Sequence, residues 1–410
     1  MALNMVRNPL VSPVLRRLRA TLAIAAAALV LAACAVQPAA EPLAPSLREE
    51  IITLSLPERP ELTLETTLFK PPGDGPFPLI IINHGKSPGD PRFQPRARFL
   101  AAGREFVSRG YAVATPMRRG FADSSGREVL RGCDILDNGI AQADDVQIAL
   151  IALSKRPDID ARRVVVMGQS HGGLATVALG ARNLPQVAGL VNFSGGLRVE
   201  SCGGWQRELE KAMGVYGRKS RAPSLWFYGD NDSYFSVDTW QAMYKSYTDA
   251  GGVARLIDYG KFRDDSHKMF GSNAGLPIWL PPMRDFFHQL GLPFDVRYRI
   301  TFVEHDAPTP PASGFATVDD AGKLPFATDK SRASYAAWLD LPPPRAFAIG
   351  DGGAWGASSG DPAAMRKALE RCNARQPTSP CRLYAVDDDV TWAAAPPVAA
   401  ASAPRPVSPQ

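Results

Sequence analysis

A serine set between two glycines is the strongest chemical signal in this 410-residue chain. The stretch VVVMGQSHGG (164–173) runs from an apolar segment into Gly168-Gln169-Ser170-His171-Gly172. A serine before a helix is often only an N-cap. The G-x-S-x-G pattern instead favours a nucleophile on a sharp strand-to-helix turn, where side chains two residues away would collide. Such a turn exposes Oγ beside helix amides that stabilise developing negative charge, so we interpret Ser170 as the nucleophile.

A histidine would have to activate Ser170, because a serine hydroxyl is a poor nucleophile at neutral pH. His267 lies in the polar loop KFRDDSHKMF after the last predicted strand, from which a side chain can reach over a sheet edge. His171 must point away from the turn, His288 lies in a helical stretch, and His305 lies beyond the predicted sheet. We therefore assign His267 as the base, the alternative being an ordinary surface histidine.

A carboxylate would orient the imidazole and stabilise its cation, and it should lie between the serine and the histidine in the sequence. The loop GDNDS (229–233) follows the apolar run SLWFYG. Asp232 is the better candidate, because Asp230 comes directly after the strand and is expected to satisfy the amides of the turn itself. Asp230 stays open as the alternative.

Two backbone amides are candidates for an oxyanion hole. One is the N–H of His171, directly after the nucleophile. The other is the N–H of Lys86, because His84-Gly85-Lys86 follows the predicted strand PLIIINH and the glycine permits a tight turn there.

The elements that must position these residues follow from the alternation of apolar and helical stretches between residues 50 and 297, which predicts a mostly parallel sheet with helices on both faces. Continuous apolar runs are typical of strands buried on both faces. The predicted strands are 65–70 near an antiparallel edge, and 78–84, 111–116, 163–168, 187–194, 224–229 and 254–259 in the centre. The predicted helices are 99–108, 139–154, 174–181, 207–213, 237–249 and 282–289.

A second, smaller unit is predicted at residues 331–393, after a linker at 298–330 that is rich in Pro, Ala and Asp. Its elements are a helix at SYAAWLD, a strand at RAFAIG, a glycine-rich turn, a helix at DPAAMRKALERC and a strand at CRLYAVDDDVTW. The Pro/Ala-rich tail at 394–410 is expected to be disordered.

The N-terminal 33 residues have the pattern of a signal peptide. Four arginines precede ATLAIAAAALVLAA, an uncharged run that is shorter than the roughly 20 residues of a transmembrane helix. The run ends in LAAC (31–34), which resembles the lipobox of bacterial lipoproteins. This resemblance implies lipidation of Cys34 and an outer-membrane location facing the periplasm. The Pro/Ala-rich stretch over 34–49 is expected to form a semi-rigid tether. The alternative is cleavage after Ala33-Cys34-Ala35 and a soluble periplasmic or secreted protein.

The basic balance says little about partners. The formal net charge is +5, and removal of the four arginines of the leader leaves 5 − 4 = +1. Because no Lys/Arg cluster is interleaved with aromatic residues, we expect no nucleic-acid partner.

The remaining four cysteines are expected to form two disulfides in an exported protein. Cys372 and Cys381 flank the turn-rich loop NARQPTSP, and by elimination Cys133 would pair with Cys202. Buried or metal-binding cysteines are the alternative, but a zinc site is disfavoured because the chain has no C-x-x-C pair or suitably spaced histidines.

Residues 50–297 resemble the α/β-hydrolase superfamily, most closely its dienelactone hydrolase-like or prolyl-peptidase-like branch. The resemblance lies in HG (84–85), RRG (118–120), GQSHGG (168–173), YGDNDSYF (228–235) and DDSHKMF (264–270). It implies an α/β-hydrolase fold, the chain order Ser-Asp-His for the triad, and no metal or organic cofactor. The nucleophile is a serine rather than the cysteine of true dienelactone hydrolases, so lactone specificity is not implied.

Three functions compete. The first is a carboxylic ester hydrolase acting on a small-molecule ester, and the second is a peptidase of the same fold acting on a short peptide. The third is an envelope lipoprotein that uses the fold only as a scaffold, since a fold alone does not imply activity. About thirty residues between the strands ending near 194 and starting near 224 predict an open pocket. Trp205, Tyr234 and Phe235 are candidates to line it.

Overall fold

The computed structural model describes residues 43–300, 305–341, 343–376 and 379–393. The predicted signal peptide, the lipidation site Cys34 and the predicted disordered tail at 394–410 lie outside the described residues. Across these described ranges, no helix is both long enough and apolar enough to cross a bilayer.

An eight-stranded sheet forms the larger part of the described chain, with the order β1-β2-β4-β3-β5-β6-β7-β8. Its strands are β1 Glu50–Leu56, β2 Arg59–Phe69, β3 Phe77–Asn83, β4 Ala112–Pro116, β5 Ile159–Gln169, β6 Val187–Phe193, β7 Ser224–Tyr228 and β8 Ala254–Asp258. β1 pairs antiparallel with β2, and β2 pairs antiparallel with β4. The pairs from β4 through β3 to β8 are parallel. The predicted antiparallel strand near the edge is confirmed as β2, while the edge strand β1 escaped prediction.

Six helices of the described chain cover the two faces of this sheet. They are α1 Leu100–Ser108, α2 Ile135–Ser154, α3 His171–Gly180, α4 Trp205–Lys219, α5 Val237–Asp249 and α6 Leu276–Gln289. Along β3, Ile81 belongs to one buried cluster with residues of α2 to α5, while Ile80 and Ile82 belong to the other with residues of α1 and α6. This alternation is the period of two expected for a strand buried on both faces. The strand order, the parallel core and the covering helices are those of the α/β-hydrolase fold.

Several predicted helix limits were wrong. α2 begins at Ile135 rather than at 139, because the carboxylate of Asp134 accepts the Asp137 N–H as an N-cap. α4 continues to Lys219 instead of ending at 213, since Tyr216 buries its ring and donates to the Leu136 carbonyl of α2. α6 begins at Leu276 rather than at Pro282, and it contains both Pro281 and Pro282.

The C-terminal unit is a four-stranded antiparallel sheet with the order β10-β9-β11-β12, accompanied by two helices. Its elements are α7 Asp329–Trp338, β9 Arg345–Ile349, β10 Trp355–Ser359, α8 Ala364–Asn373, β11 Arg382–Val386 and β12 Asp389–Val390. β10 was not predicted, and the single strand predicted over 381–392 is two strands, because Asp387 turns the chain with a φ of 51°. Leu324, placed by the sequence in the linker, is buried in the core of this unit.

Both predicted disulfides are present. Cys133 is bonded to Cys202 with a Cα–Cα distance of 5.7 Å, and Cys372 is bonded to Cys381 at 6.0 Å. The second bridge fastens the C-terminal end of α8 to the start of β11, as the turn-rich loop predicted.

Candidate active site

Ser170 lies at the sharp turn between β5 and α3. Its backbone has φ 55° and ψ −124°, a conformation that non-glycine residues rarely adopt and that marks functional turns. Its side chain makes no capping hydrogen bond to the helix. The interpretation of Ser170 as a simple N-cap is therefore wrong. The hydroxyl lies at the positive end of the α3 dipole and forms no hydrogen bond within the described part of the chain.

The two glycines around Ser170 are required by close backbone approach. A β-carbon on Gly168 would lie 2.2 Å from the Gly172 carbonyl oxygen, and one on Gly172 would lie 2.1 Å from the Asn83 carbonyl oxygen. Neither position has room for a side chain. The collision expected from the G-x-S-x-G pattern is thus present.

The loop after β3 runs beside Ser170. A β-carbon built on Gly85 would lie 3.3 Å from the Ser170 Cβ. The backbone N–H of the next residue, Lys86, therefore lies beside the nucleophile. Among the described residues, the backbone N–H groups of Lys86 and His171 donate to no backbone carbonyl. Both amides are consequently available to a substrate oxygen. The Lys86 side chain is turned to Glu128, with Nζ 2.6 Å from its carboxylate.

Asp232 and His267 form a hydrogen-bonded pair. The His267 Nδ1 lies 3.0 Å from both carboxylate oxygens of Asp232, whose side chain is fully buried. Oδ1 of Asp232 also accepts the N–H groups of Tyr234 and Phe235, which fixes the carboxylate. The Tyr234 ring lies against the imidazole with a centroid distance of 4.5 Å. Because a carboxylate can only accept, Nδ1 is the donor in this contact, and among the described residues Nε2 forms no hydrogen bond.

The reason given above for preferring Asp232 over Asp230 does not hold. The carboxylate that satisfies turn amides is that of Asp232, whereas in the described part of the chain the exposed Asp230 carboxylate accepts no hydrogen bond. The Asp230 backbone N–H donates to the Gly260 carbonyl instead. One carboxylate therefore shapes the turn and orients the histidine.

Three further side chains fasten the loops of Asp232, His267 and Ser170 to one another. Asp265 accepts the backbone N–H and hydroxyl of Ser233 and the N–H of His267. Asn231 bonds to the backbone of residues 262 and 263. Gln169 donates its amide to the His267 carbonyl at 2.7 Å. Sequence reasoning missed these roles; the one available signal was their position next to the assigned residues.

Ser170 and His267 line the same cavity, of about 460 Å³. No hydrogen bond joins their side chains in the described structure, and such bonds often tighten only when substrate is bound. A second cavity, of about 200 Å³, also reaches Ser170 and includes His171 and Phe235 but not His267. Tyr234 lines both cavities and Phe235 the smaller one, as expected, whereas Trp205 lines neither and packs against Phe235 instead.

Two other histidines are buried beside the site. Burial, the Arg118 guanidinium and His171 hold the pKa of His84 well below its usual value, although its bond to the Gly85 carbonyl opposes the shift. Burial, Arg118 and Lys86 lower the pKa of His171 in the same way. Both imidazoles are thus neutral at pH 7. Within the described ranges, no group of three His, Cys, Asp or Glu side chains is arranged to hold a metal ion.

Acid should destabilise the protein through these two histidines. Each binds a proton in the unfolded chain below about pH 6.5 but not in the folded one, so the free energy of unfolding falls as pH falls from 6.5 toward the depressed folded values. The slope is up to about 1.4 kcal/mol per pH unit for each histidine.

Urea unfolding between pH 7 and 5 measures this slope. His171→Gln should remove one of the two contributions and make the slope shallower. If the free energy of unfolding has the same pH dependence in the wild type and in His171→Gln, the lowered pKa of His171 is contradicted.

A comparison with protein families gives a match to part of this chain. Residues 93–187 match the prolyl oligopeptidase family, which is less than half of the chain. No curated protein sequence matches the chain. Together with the fold, the family match supports a serine hydrolase, whether peptidase or esterase.

Solved structures with a similar fold include both peptidases and esterases. The dipeptidyl peptidase 4 of Porphyromonas gingivalis is 18% identical with a TM-score of 0.45, over 58% of this chain and 35% of its own. The acylaminoacyl peptidase of Pyrococcus horikoshii is 17% identical with a TM-score of 0.45, over 62% of this chain and 43% of its own. An esterase of Pyrococcus furiosus is 14% identical with a TM-score of 0.43, over 60% of this chain and 93% of its own. This chain therefore spans less than half of either peptidase. At these identities the likeness concerns the fold alone.

Proposed function

We propose that the protein is a serine hydrolase that cleaves carboxylic esters through Ser170, His267 and Asp232. The observation that carries the proposal is the buried Asp232–His267 pair, because its histidine lines the same cavity as the strained, uncapped Ser170. In this reading the protein resembles the dienelactone hydrolase-like or prolyl-peptidase-like branch of its superfamily.

The proposed reaction is acyl transfer to water. His267 Nε2 accepts the proton of Ser170 as Oγ attacks the ester carbonyl, and the amides of Lys86 and His171 bind the oxyanion. The imidazolium then gives that proton to the leaving alcohol, which leaves an acyl-enzyme. Water, deprotonated by the same imidazole, attacks the acyl group; Ser170 recovers its proton and the carboxylic acid departs. None of these steps uses a metal or an organic cofactor.

The two cavities suggest which part of the substrate goes where. His267 must protonate the leaving oxygen, and it lines only the larger cavity, so the alcohol belongs there. The acyl chain then enters the smaller cavity, beside His171 and the apolar side chains of Leu197 and Phe235. We therefore propose esters with a short acyl group and a larger alcohol.

The charges around the cavities favour an ester over a peptide with a free amino end. The acidic side chains that line them in the described structure are Asp265 and Glu200. Asp265 is occupied by Ser233 and His267, and Glu200 pairs with Arg198 at 2.8 Å. An ammonium group in these cavities would thus meet no carboxylate without a partner among the described lining residues. The family match to residues 93–187 supports the second candidate, a peptidase acting on short peptides.

One pair of measurements tests the proposal. A fluorophosphonate probe should label Ser170 in the folded wild-type protein, and p-nitrophenyl acetate or butyrate should turn over faster than aminoacyl or peptide p-nitroanilides. Labelling with turnover of the anilides alone would favour the peptidase. Absence of both labelling and turnover would favour the scaffold reading.

Leu197 should limit the length of the acyl chain. Leu197→Ala enlarges the smaller cavity, and each accommodated methylene is worth about 1–3 kcal/mol in an apolar site. The ratio of kcat/KM for p-nitrophenyl octanoate to that for the acetate should rise about 10-fold. Lys268→Ala, in the larger cavity, is the control and should not change the ratio. An equal rise in both variants would contradict the assignment of the acyl side.

We also propose that the protein is a lipid-anchored component of the bacterial cell envelope, with Cys34 acylated and 34–49 as the tether. Support comes only from the sequence, through the leader and LAAC (31–34). Cys34→Ser should abolish incorporation of an alkyne-labelled fatty acid in a bacterial host and release the protein from membranes. Unchanged fatty-acid labelling would contradict the anchor.

A further inference from the structure

The guanidinium of Arg118 lies directly behind the loop that carries the proposed oxyanion donor Lys86. Arg118 is 3% exposed and follows β4. Its Nη1 donates to the His84 carbonyl at 2.5 Å, and its Nη2 donates to the Gly85 carbonyl at 3.3 Å. One rigid, planar group therefore binds two successive carbonyls of this loop.

Because a peptide unit is planar and trans, the Gly85 carbonyl fixes the direction of the Lys86 N–H. The Gly85 carbonyl is also bound by His84 Nδ1 at 2.7 Å. With that carbonyl held by Arg118 and His84, the Lys86 N–H points away from both. A flip of this peptide would break both bonds and would replace the donor with a carbonyl.

His84 is itself fixed by Arg118. Its Nε2 accepts the backbone N–H of Arg118 at 3.0 Å, so Nδ1 must carry the proton that binds Gly85. The Phe121 ring packs edge-on against His84 at 4.7 Å and lies 5.2 Å from the Arg118 guanidinium carbon. The backbone and the side chain of Arg118 thus act on the same loop.

The charge of Arg118 is not neutralised by direct contact. Burial lowers the pKa of Arg118 to about 10, against the attraction of Asp145 and Glu128, and the group stays cationic at pH 7. In the described structure Arg118 forms no ion pair; Asp145 is bound by Arg119, and Glu128 by Lys86. A buried cation without a contacting anion is costly, yet it stabilises negative charge that forms nearby.

We infer that Arg118 is a positioning residue for the oxyanion hole. Arg118 holds the Gly85–Lys86 peptide in its donating orientation and stabilises the oxyanion through that peptide. This inference rests on the proposed function. It predicts that loss of Arg118 weakens binding of the transition state and not of the ester itself.

The test compares Arg118→Gln with the wild type on 4-nitrophenyl acetate and on its thiono analogue, in which sulfur replaces the carbonyl oxygen. Loss of an oriented donor should lower kcat for the oxygen ester about 10²-fold with little change in KM. The thiono ester should lose much less, because sulfur accepts hydrogen bonds weakly. The oxygen-to-sulfur rate ratio should therefore fall.

Arg92→Gln is the matched control, because the Arg92 guanidinium also binds loop carbonyls, those of Ala122, Ser124 and Gly126, but in the described structure it forms no hydrogen bond to residues 84–86. Its rate ratio should equal that of the wild type. If circular dichroism shows Arg118→Gln to be unfolded, Arg118→Lys replaces it: lysine keeps the charge but cannot hold both carbonyls, so a smaller fall is expected.

If the wild type is active and the folded Arg118 variant keeps the wild-type oxygen-to-sulfur rate ratio, this inference is overturned while the proposed function stands. A wild-type protein with neither ester turnover nor Ser170 labelling would overturn the proposed function and the inference together.

Discussion

Ser170→Ala should lower kcat for p-nitrophenyl butyrate by about 10⁶-fold, because removal of the nucleophile from a concerted triad costs about as much as removal of the whole triad. The Ser170 hydroxyl caps no helix amide and forms no other hydrogen bond to the described residues, so its removal breaks no such bond of the fold. The variant should also lose all labelling by a fluorophosphonate. Initial-rate kinetics and intact-protein mass spectrometry measure the two effects.

Ser87→Ala is the matched control for Ser170→Ala. Ser87 lines both cavities, and among the described residues only its backbone N–H and carbonyl form hydrogen bonds. Its rates should stay within about twofold of the wild type, as for a surface substitution that removes no buried partner. Ester turnover lost in Ser87→Ala and kept in Ser170→Ala would place the nucleophile elsewhere.

The fold could be predicted from the sequence because its signals are local. Strands buried on both faces carry continuous apolar runs, so β3, β4, β6 and β7 were found within a few residues of their limits. β1 is an edge strand of alternating exposure, and its sequence EIITLSL gives a weaker signal. β10 contains Gly356 and three further small residues, which are serines or alanines. Such a sequence cannot be distinguished from the glycine-rich turn before it.

Predicting the site from the sequence was less complete, because its supporting contacts are not local. Ser170 could be found because the turn imposes glycine two residues to either side. Gln169 and His267 are 98 residues apart in the chain, and Ser233 and Asp265 are 32 apart. Such side-chain contacts depend on which loops the sheet brings together, and no pattern of residue types records that. The RRG motif supplied a resemblance to a family but no role for Arg118.

Asp232→Asn should lower kcat by about 10⁴-fold. The Asp232 Oδ1 accepts two backbone amides, so an asparagine would keep its oxygen there and direct its NH₂ group at His267. A donor facing Nδ1 forces the proton onto Nε2, and the imidazole can then no longer accept the proton of Ser170. Fluorophosphonate labelling of Ser170 should slow in parallel with turnover.

Asp230→Asn is the control that separates the two carboxylates of this loop. The Asp230 side chain is exposed and accepts no hydrogen bond in the described structure, so the substitution should leave kcat within about twofold of the wild type. The same change of charge two residues away thus distinguishes a role in orienting His267 from a general effect of negative charge. If Asp230→Asn were the variant that lost activity, the triad would have to be assigned through Asp230, and the buried pair of Asp232 with His267 would be structural.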